Sequence, residues 1–304
     1  MLVPEKLCGV ALYTCDHGTP MRLFRGPEFP ITAEDLRRLA EEGRTTLYVL
    51  ATEHYQFQQY LRDNLKELVQ DEQRPVSERL GTLNEVIRSV LGESFRRTDL
   101  DEAIRATESL ACHTVDLVCR EDLVLSELWS VLYHDYHTFT HSTNVAYYAV
   151  VLAMKLGLNE REQLTRIAMG AMVHDLGKQG IPESILTKPS KLEGHEYETM
   201  KSHALLGYRR ICDRKDLTFG QLMMVYQHHE RLDGGGYPVG VSGEEIHEWA
   251  RLCTVVDVYE ALTSHRSYRA KLTSREAFTI MDGSAGAAFD RGIYECWKGI
   301  MQKR

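Results

Sequence analysis

The chain has 304 residues, with 36 Lys and Arg against 44 Asp and Glu, which gives a formal net charge of −8. This length allows about two domains, and the 43% hydrophobic and 26% charged residues are typical of globular proteins. The acidic balance argues against binding of long nucleic acid, which requires a basic face. A small phosphorylated ligand held by a few local cations is compatible with it.

The cysteines and the apolar runs predict the cellular compartment in which the protein is located. The seven cysteines are scattered and contain no CxxC pair, so we expect a reducing cytoplasm rather than a disulfide framework. The longest apolar run, residues 145–154, has about half the length of a membrane span. No basic region followed by an apolar core opens the sequence, so we expect no signal peptide. We therefore predict a cytoplasmic protein that does not contact a membrane.

The first fifty residues have a mixed pattern. Runs rich in β-forming residues at 10–14, 21–24 and 45–51 predict three short strands. A helical pattern starts at Thr32 and stops at Gly43. These features predict a smaller α+β N-terminal domain over residues 1–95.

From residue 53 onward the periodicity is helical, so the predicted fold class is mainly α. The predicted helices cover residues 53–70, 77–92, 99–119, 137–156, 161–175, 194–212, 217–228, 248–263, 273–282 and 290–302. The third of these carries an apolar stripe and lies in a predicted linker helix, 96–124. Burial of that stripe within the chain is the more common outcome, and packing on a partner subunit is the alternative.

Most of the 13 histidines fall between residues 134 and 247. His137 and His141 are four residues apart, so on a helix both rings point the same way and could grip one metal. This pair alone is a weak indication, because two exposed histidines often occur at that spacing by chance.

Stronger evidence for a metal site begins with His174 and Asp175, which follow the apolar run IAMGAMV. Burying an unpaired charge is costly, and a carboxylate can bridge two cations. Further candidate ligands follow in order at His203, His228, His229 and Asp257. Any one of them could be an ordinary hydrogen-bonded residue. The complete series predicts a metal cluster whose nitrogen and oxygen ligands suit Fe, Mn or Zn.

Groups suited to a phosphate ester surround these candidates. Lys178 follows the His-Asp pair closely, and Arg266 and Arg269 follow Asp257. Guanidinium groups bind phosphate oxygens in bidentate fashion. The segment 234–238, GGGYP, permits close approach of a ligand, although composition alone favours an ordinary loop.

Three motifs carry a resemblance to a known family. HDLGK at 174–178, HHERLDGGGYP at 228–238 and DVYEALTSHRSYR at 257–269 stand in the order found in HD-GYP proteins. Residues 125–304 thus resemble the HD-GYP subgroup of HD-domain metal-dependent phosphohydrolases. Residues 1–95 resemble no sensory domain. We expect them to regulate the enzyme or to mediate formation of a homodimer.

The resemblance implies an all-α catalytic domain that hydrolyses cyclic di-GMP, a bacterial second messenger, with an iron or manganese centre. It implies that the first metal is held by His141, His174, Asp175 and Asp257. It implies that Asp175 bridges to a second metal held by His203, His228 and His229. It also implies phosphate contacts from Lys178, Arg266 and Arg269, with Tyr237 lining the ligand pocket.

One position departs from part of this family. Members with three metals carry a glutamate four residues before the equivalent of His141, where this chain has His137. An imidazole can ligate a metal but cannot bridge two metals as a carboxylate does. The sequence therefore leaves open whether two or three ions bind, and whether the product is pGpG or GMP.

We expect metal-assisted phosphodiester hydrolysis by water, with Asp175 and Lys178 as catalytic residues and no protein nucleophile. One alternative is a catalytically slow signalling module that binds a cyclic dinucleotide; the complete ligand series favours an enzyme. Another alternative is a hydrolase of a different cyclic dinucleotide, such as 3′,3′-cyclic GMP-AMP. The sequence does not distinguish guanine from adenine.

Overall fold

The computed structural model describes residues 2–15, 20–44, 46–94, 100–120, 138–265 and 271–302. The chain divides into two compact units, Met1–Ser89 and Val90–Arg304. Helices dominate both units, which confirms the predicted mainly α fold class. Within the described ranges, no helix combines the length and the apolar character needed to cross a bilayer.

The first unit opens with an antiparallel pair of strands, β1 (Leu12–Thr14) and β2 (Arg22–Arg25), where the first two strands were predicted. Helix α1 (Ala33–Glu41) begins after Thr32, whose hydroxyl accepts a hydrogen bond from the Asp35 amide at 3.1 Å. The Asp35 carboxylate accepts one from the Thr32 amide at 3.0 Å, which completes a capping box.

The predicted third strand at 45–51 is wrong for the residues described there. Only Tyr48 pairs, as an isolated bridge with Tyr13, and a 3-10 helix begins at Ala51. The side chains of Tyr48 and Leu50 are exposed. The alternate residues Leu47 and Val49 are only partly buried, so among the described residues of this segment neither face is fully buried.

Three helices complete the first unit: α2 (His54–Asp63), α3 (Leu65–Gln70) and α4 (Val76–Ser94), the last of which extends past the unit boundary. The predicted single helix over 53–70 is interrupted at Asn64. The side-chain amide of Asn64 donates a hydrogen bond to the backbone carbonyl of Tyr60 at 2.8 Å. This bond gives the carbonyl a partner in addition to the backbone hydrogen bonds of the helix.

The second unit is a bundle of helices. Its elements are α5 (Leu100–Arg120), α6 (Thr138–Lys155), α7 (Arg161–Val173), α8 (Glu183–Leu186), α9 (Gly194–Lys201), α10 (His203–Ile211), α11 (Phe219–Gln227), α12 (Glu248–Thr263), α13 (Ser274–Asp282) and α14 (Arg291–Gln302). Short 3-10 helices cover Leu176–Gly180 and Gly243–Glu245. The predicted helix over 194–212 is two helices that meet at Ser202.

The apolar stripe of α5 is buried inside this unit. Ile104, Ala111, Val115 and Val118 are each less than 5% exposed, and the helix packs on α6 and α7. The stripe is therefore buried within the chain, and it is not available for packing on a partner subunit.

The packing of α6, α7, α11 and α12 brings the site residues together. His141 lies in the first turn of α6, His174 directly follows α7, and His228 directly follows α11. Asp257 lies within α12. The fold thus brings four residues that are distant in sequence into one cluster.

Close contact between the 3-10 helix at 176–180 and α10 depends on Gly177. A Cβ atom there would lie 1.8 Å from the carbonyl oxygen of His203 and 2.4 Å from the amide nitrogen of Gly207. Only glycine therefore lets these two elements approach this closely. The contact fixes His203, the first residue of α10, next to Asp175.

Candidate metal centre

His174 and Asp175 leave the end of α7 in a fully buried environment, each 1% exposed. The Nδ1 atom of His174 lies 2.7 Å from the carbonyl oxygen of Ala171. Because a carbonyl oxygen can only accept, Nδ1 carries the hydrogen and Nε2 is directed into the site. The Nε2 atom lies 3.4 Å from the Oδ2 atom of Asp175.

His203 and His228 are oriented in the same way. The Nδ1 atom of His203 lies 2.7 Å from the carbonyl oxygen of Met200, and that of His228 lies 2.9 Å from the carbonyl oxygen of Met224. Their Nε2 atoms lie 3.2 Å apart. Both rings thus present unprotonated Nε2 atoms, the usual metal-binding form of neutral histidine, to the same space.

His141 has acidic partners on both ring nitrogens. Its Nδ1 atom is hydrogen-bonded to the Oε2 atom of Glu260, and its Nε2 atom lies 2.9 Å from the Oδ1 atom of Asp257. Asp257 Oδ1 also lies 3.8 Å from His174 Nε2. The helices α6 and α12 are therefore joined at this point through charged groups.

Two groups of ligand atoms result, each with its atoms within 4.8 Å of one another. One group comprises His141, His174 and Asp175, and the other comprises His203, His228 and His229. Asp175 also lies next to the second group, with Oδ1 3.4 Å from His203 Nε2 and 3.9 Å from His228 Nε2. The structure thus brings the seven described ligand candidates, including Asp257, into one cluster that could hold metal.

Two buried atoms in this cluster have no hydrogen-bond partner among the described residues: Nε2 of His174 and Oδ1 of Asp175. Leaving a buried polar atom unsatisfied costs about 1–3 kcal/mol, and more for a charged group. Both atoms point towards the other ligands, so a bound cation would satisfy them. The donor set therefore fits a metal site.

The pKa values of the carboxylates favour their anionic, metal-binding form. Burial alone would raise the pKa of Asp175, but Lys178 and His174 hold it well below its ordinary value. Burial would likewise raise the pKa of Asp257, but the hydrogen bond and charge of His141 hold it below its ordinary value. Both carboxylates therefore remain ionised at neutral pH.

The pKa values of the buried histidines are shifted in two opposite directions. Burial lowers the pKa of His228 well below its ordinary value, with a smaller contribution from His229, and burial lowers the pKa of His229 to about 3. Burial would lower the pKa of His141 as well, but Glu260 and Asp257 raise it well above its ordinary value. In the absence of metal, a proton on His141 balances its two carboxylates.

Lys178 lies on the 3-10 helix that follows the His-Asp pair. Its Nζ atom is 2.5 Å from the Oδ2 atom of Asp175. This ammonium group is therefore at the cluster itself.

The GYP segment is folded tightly against the cluster. Glu230, which is buried, accepts hydrogen bonds from the amides of Val239 at 2.8 Å and Gly240 at 3.1 Å. A Cβ atom at Gly236 would lie 2.5 Å from the Cα atom of Glu230, so the approach requires glycine. These contacts fix the conformation of the segment relative to the backbone of residues 229–231.

This folding places Tyr237 beside a ligand histidine. The ring centroids of Tyr237 and His229 are 4.7 Å apart, with an interplanar angle of 31°. The ammonium group of Lys201 lies 5.8 Å from the Tyr237 ring centroid, within cation–π range. A cavity of about 290 Å³ also adjoins His228 and His229, and its wall includes Thr254, Met281 and Phe289.

His137, Arg266 and Arg269 lie outside the described residues. The third-metal question and the two arginine–phosphate contacts therefore stay predictions.

A family model described as "HD domain" matches residues 130–293, which is more than half of the chain. The chain belongs to the HD-domain family. The recognition made from the HDLGK, HHERLDGGGYP and DVYEALTSHRSYR motifs is thereby confirmed.

Curated relatives of this HD-domain chain are named as phosphodiesterases. It is 38% identical over 174 residues to the cyclic di-GMP phosphodiesterase response regulator RpfG of Xanthomonas campestris pv. campestris, covering 56% of this chain and 46% of that protein. It is 36% identical over 165 residues to the 3′3′-cGAMP-specific phosphodiesterase 3 of Vibrio cholerae, covering 54% and 35%. A cyclic di-GMP phosphodiesterase of Thermotoga maritima is 34% identical over 167 residues, covering 54% and 45%. The chain thus spans less than half the length of these relatives.

A solved structure shares the fold over nearly the whole chain. Bd1817, a HDG"Y"P protein from Bdellovibrio bacteriovorus, aligns with a TM-score of 0.73 over 99% of this chain and 97% of its own. The sequence identity is 19%, so the similarity concerns the fold.

Sequence reasoning missed several residues of this HD-domain site. Glu260 orients His141, Asn144 donates to Glu260 at 2.9 Å, and the Thr254 hydroxyl donates to the His228 carbonyl at 2.8 Å. Glu260 could have been found, because it stands three residues after Asp257 and therefore shares its helix face. The same spacing applies to Asn144, three residues after His141, and to Thr254, three residues before Asp257.

Proposed function

We propose that this chain is a metal-dependent phosphodiesterase that hydrolyses cyclic di-GMP. The observation that carries the proposal is the buried cluster of seven nitrogen and oxygen ligands with Lys178 at its edge. The names of the relatives support it, and the region that the HD-domain family model matches, residues 130–293, contains the cluster.

We propose two resident divalent ions: the imidazoles and carboxylates of the cluster suit Fe, Mn or Zn, and the resemblance to HD-GYP proteins favours iron or manganese among these. The first would be held by His141, His174, Asp175 and Asp257. The second would be held by Asp175, His203, His228 and His229. When bound, such ions polarise phosphoryl oxygens and lower the pKa of water.

Residues of the chain supply the other functions of the proposed site. Asp175 has one oxygen towards each group of histidines, so it holds the two halves of the site in register. The ammonium of Lys178 pairs with this carboxylate and would turn to a non-bridging phosphate oxygen once cations neutralise Asp175. Tyr237 forms a wall of the ligand site beside His229. Arg266 and Arg269 complete the proposed phosphate contacts.

A second substrate follows from a specific observation. One relative, 36% identical to this chain, is named as specific for 3′3′-cGAMP. Kinetics with purified protein separate the two substrates: the proposal expects kcat/KM for cyclic di-GMP to exceed that for 3′,3′-cyclic GMP-AMP. The reverse ratio would assign the second substrate, and binding of either without turnover would assign a signalling module.

The final product is tested in the same assay. Accumulation of pGpG, or its further conversion to GMP, shows which product a chain with His137 forms. Addition of pGpG as the starting substrate measures the second step directly.

We further propose that residues 125–304 are the catalytic domain, that 96–124 is a linker helix and that 1–95 regulate or dimerise the enzyme. We also propose a cytoplasmic location, supported by the lack of any disulfide among the seven cysteines, all of which lie in described ranges. A truncated chain that starts near residue 120 and keeps the full activity and oligomeric state would contradict the role of residues 1–95.

A further inference from the structure

The ligand histidines differ in what orients them. The Nδ1 atoms of His174, His203 and His228 are all hydrogen-bonded to backbone carbonyl oxygens. The Nδ1 atom of His141 is instead hydrogen-bonded to the carboxylate of Glu260. A full negative charge therefore stands behind only one of these four rings.

Glu260 is itself firmly placed. It is 1% exposed on α12, and its Oε1 atom accepts a hydrogen bond from the Asn144 amide at 2.9 Å and another from the Ser264 hydroxyl. These two bonds leave Oε2 for His141. The carboxylate is thus held in one orientation by partners that are not metal ligands.

We infer that Glu260 is a positioning residue that makes the half of the cluster containing His141 bind a divalent cation more tightly, so that this half fills first. A carboxylate behind an imidazole fixes its tautomer and increases the electron donation from Nε2, which a neutral carbonyl does less well. The inference rests on the two-metal site of the proposed function.

The other half of the cluster is less well supported. Within the described part of the chain, no hydrogen bond reaches the ring of His229, which is half-buried and stacks on Tyr237. His203 and His228 have only carbonyl partners on Nδ1. The structure therefore gives a physical reason for unequal affinities at two neighbouring sites.

The substitution Glu260→Gln tests this role with little change in shape. If the amide keeps its oxygen towards Asn144 and Ser264, its NH₂ group faces Nδ1 of His141. That donor moves the imidazole hydrogen from Nδ1 to Nε2, and the ring loses its lone pair towards the metal. If the amide turns round, it opposes the two donors that hold it.

The experiment is a titration of the metal-free full chain with Mn²⁺, with free Mn²⁺ counted by electron paramagnetic resonance. The wild-type protein should bind in two steps of different affinity. Glu260→Gln should weaken the tighter step by roughly 10–100-fold and leave the weaker step within about threefold. Glu230→Gln is the matched control, since Glu230 is equally buried but accepts from backbone amides, and it should leave the tighter step unchanged.

An unchanged tighter step in a folded Glu260→Gln protein, or an equal loss in both steps, would overturn the inference. If that variant does not fold, Asn144→Ala replaces it, because it releases Glu260 and keeps its charge; failure to weaken the tighter step would again overturn the inference. The titration uses no substrate. Two-step binding by a wild-type protein that hydrolyses no cyclic dinucleotide would therefore refute the proposed function and leave this inference standing.

Discussion

The Nε2 atoms of His203 and His228 lie 3.2 Å apart in a buried space. Both rings have their Nδ1 hydrogen directed to a backbone carbonyl, so two lone pairs face each other. Burial lowers the pKa of both imidazoles, so protonation of either ring to relieve this repulsion is unfavourable. A bound cation removes the repulsion and accounts for the arrangement.

The proposed bridging role of Asp175 predicts the effect of Asp175→Asn. This variant should lose bound metal and about 10³-fold in activity, because a neutral amide replaces the carboxylate that both groups of histidines share. Metal content by elemental analysis and initial rates measure the two effects. Asp216→Asn, which alters a surface ion pair with Arg214, is the control and should keep both. Two ions per chain in Asp175→Asn would contradict the assignment.

Lys178→Met should act on the substrate and not on the metals. Loss of a charge-assisted hydrogen bond to phosphate costs about 1.5–3 kcal/mol, which corresponds to a rise in KM of roughly 10–150-fold. Metal content should stay at the wild-type value. Lys298→Met, which removes an ion pair with Asp282, serves as the control. An unchanged KM would show that Lys178 does not contact the substrate.

Gly177→Ala should destabilise the protein, since its Cβ atom would overlap the backbone of α10. Overpacking costs about 1–3 kcal/mol, so the melting temperature should fall by roughly 2–12 °C. At Gly299, within α14, no described atom other than its chain neighbours and the adjacent backbone of the same helix lies within 4 Å of the corresponding Cβ position. Gly299→Ala should therefore melt no lower than the wild type, because alanine favours helix. Equal melting temperatures for both variants would contradict the close contact at Gly177.

Stability of the metal-free chain should fall as the pH falls from about 6.5 towards 5. The pKa values of His203, His228 and His229 are lowered by burial, so the unfolded chain takes up protons first and acid favours unfolding. The raised pKa of His141 offsets a small part of this loss, because the folded state holds its proton throughout the window while the unfolded histidine takes one up mainly near pH 6.5; its stabilising contribution is lost at higher pH.

Urea unfolding in the presence of a chelator measures this dependence. Each of the three histidines contributes up to about 1.4 kcal/mol per pH unit. His229→Gln should reduce the slope, since it removes one of the three groups. A free energy of unfolding that does not change between pH 6.5 and pH 5 would contradict the structural account of these rings.

The sequence predicted the ligand cluster because its members stand in family order next to apolar helices. The periodicity also located most helix bounds within a few residues, for example 161–175 against the observed Arg161–Val173. The predicted strand at 45–51 is wrong because β-forming residues form a strand only when one face is well buried, and the partial burial of Leu47 and Val49 depends on the tertiary structure.

Other parts of the site depended on contacts between distant segments. The pairing of His141 with Glu260 joins residues 119 positions apart, so no local spacing predicts it. The breaks at Asn64 and Ser202 fall inside continuous helical patterns. The need for glycine at Gly177 likewise follows from the approach of α10, which the sequence does not display.

The most direct test of the central claim combines two readings on one sample of the full chain. The protein is purified without oxygen, its iron, manganese and zinc are counted, and it is then incubated with cyclic di-GMP while the products are resolved. The account predicts at least two ions per chain and the appearance of pGpG or GMP. A folded protein that binds no metal, or that holds its metals and leaves every cyclic dinucleotide intact, would contradict it.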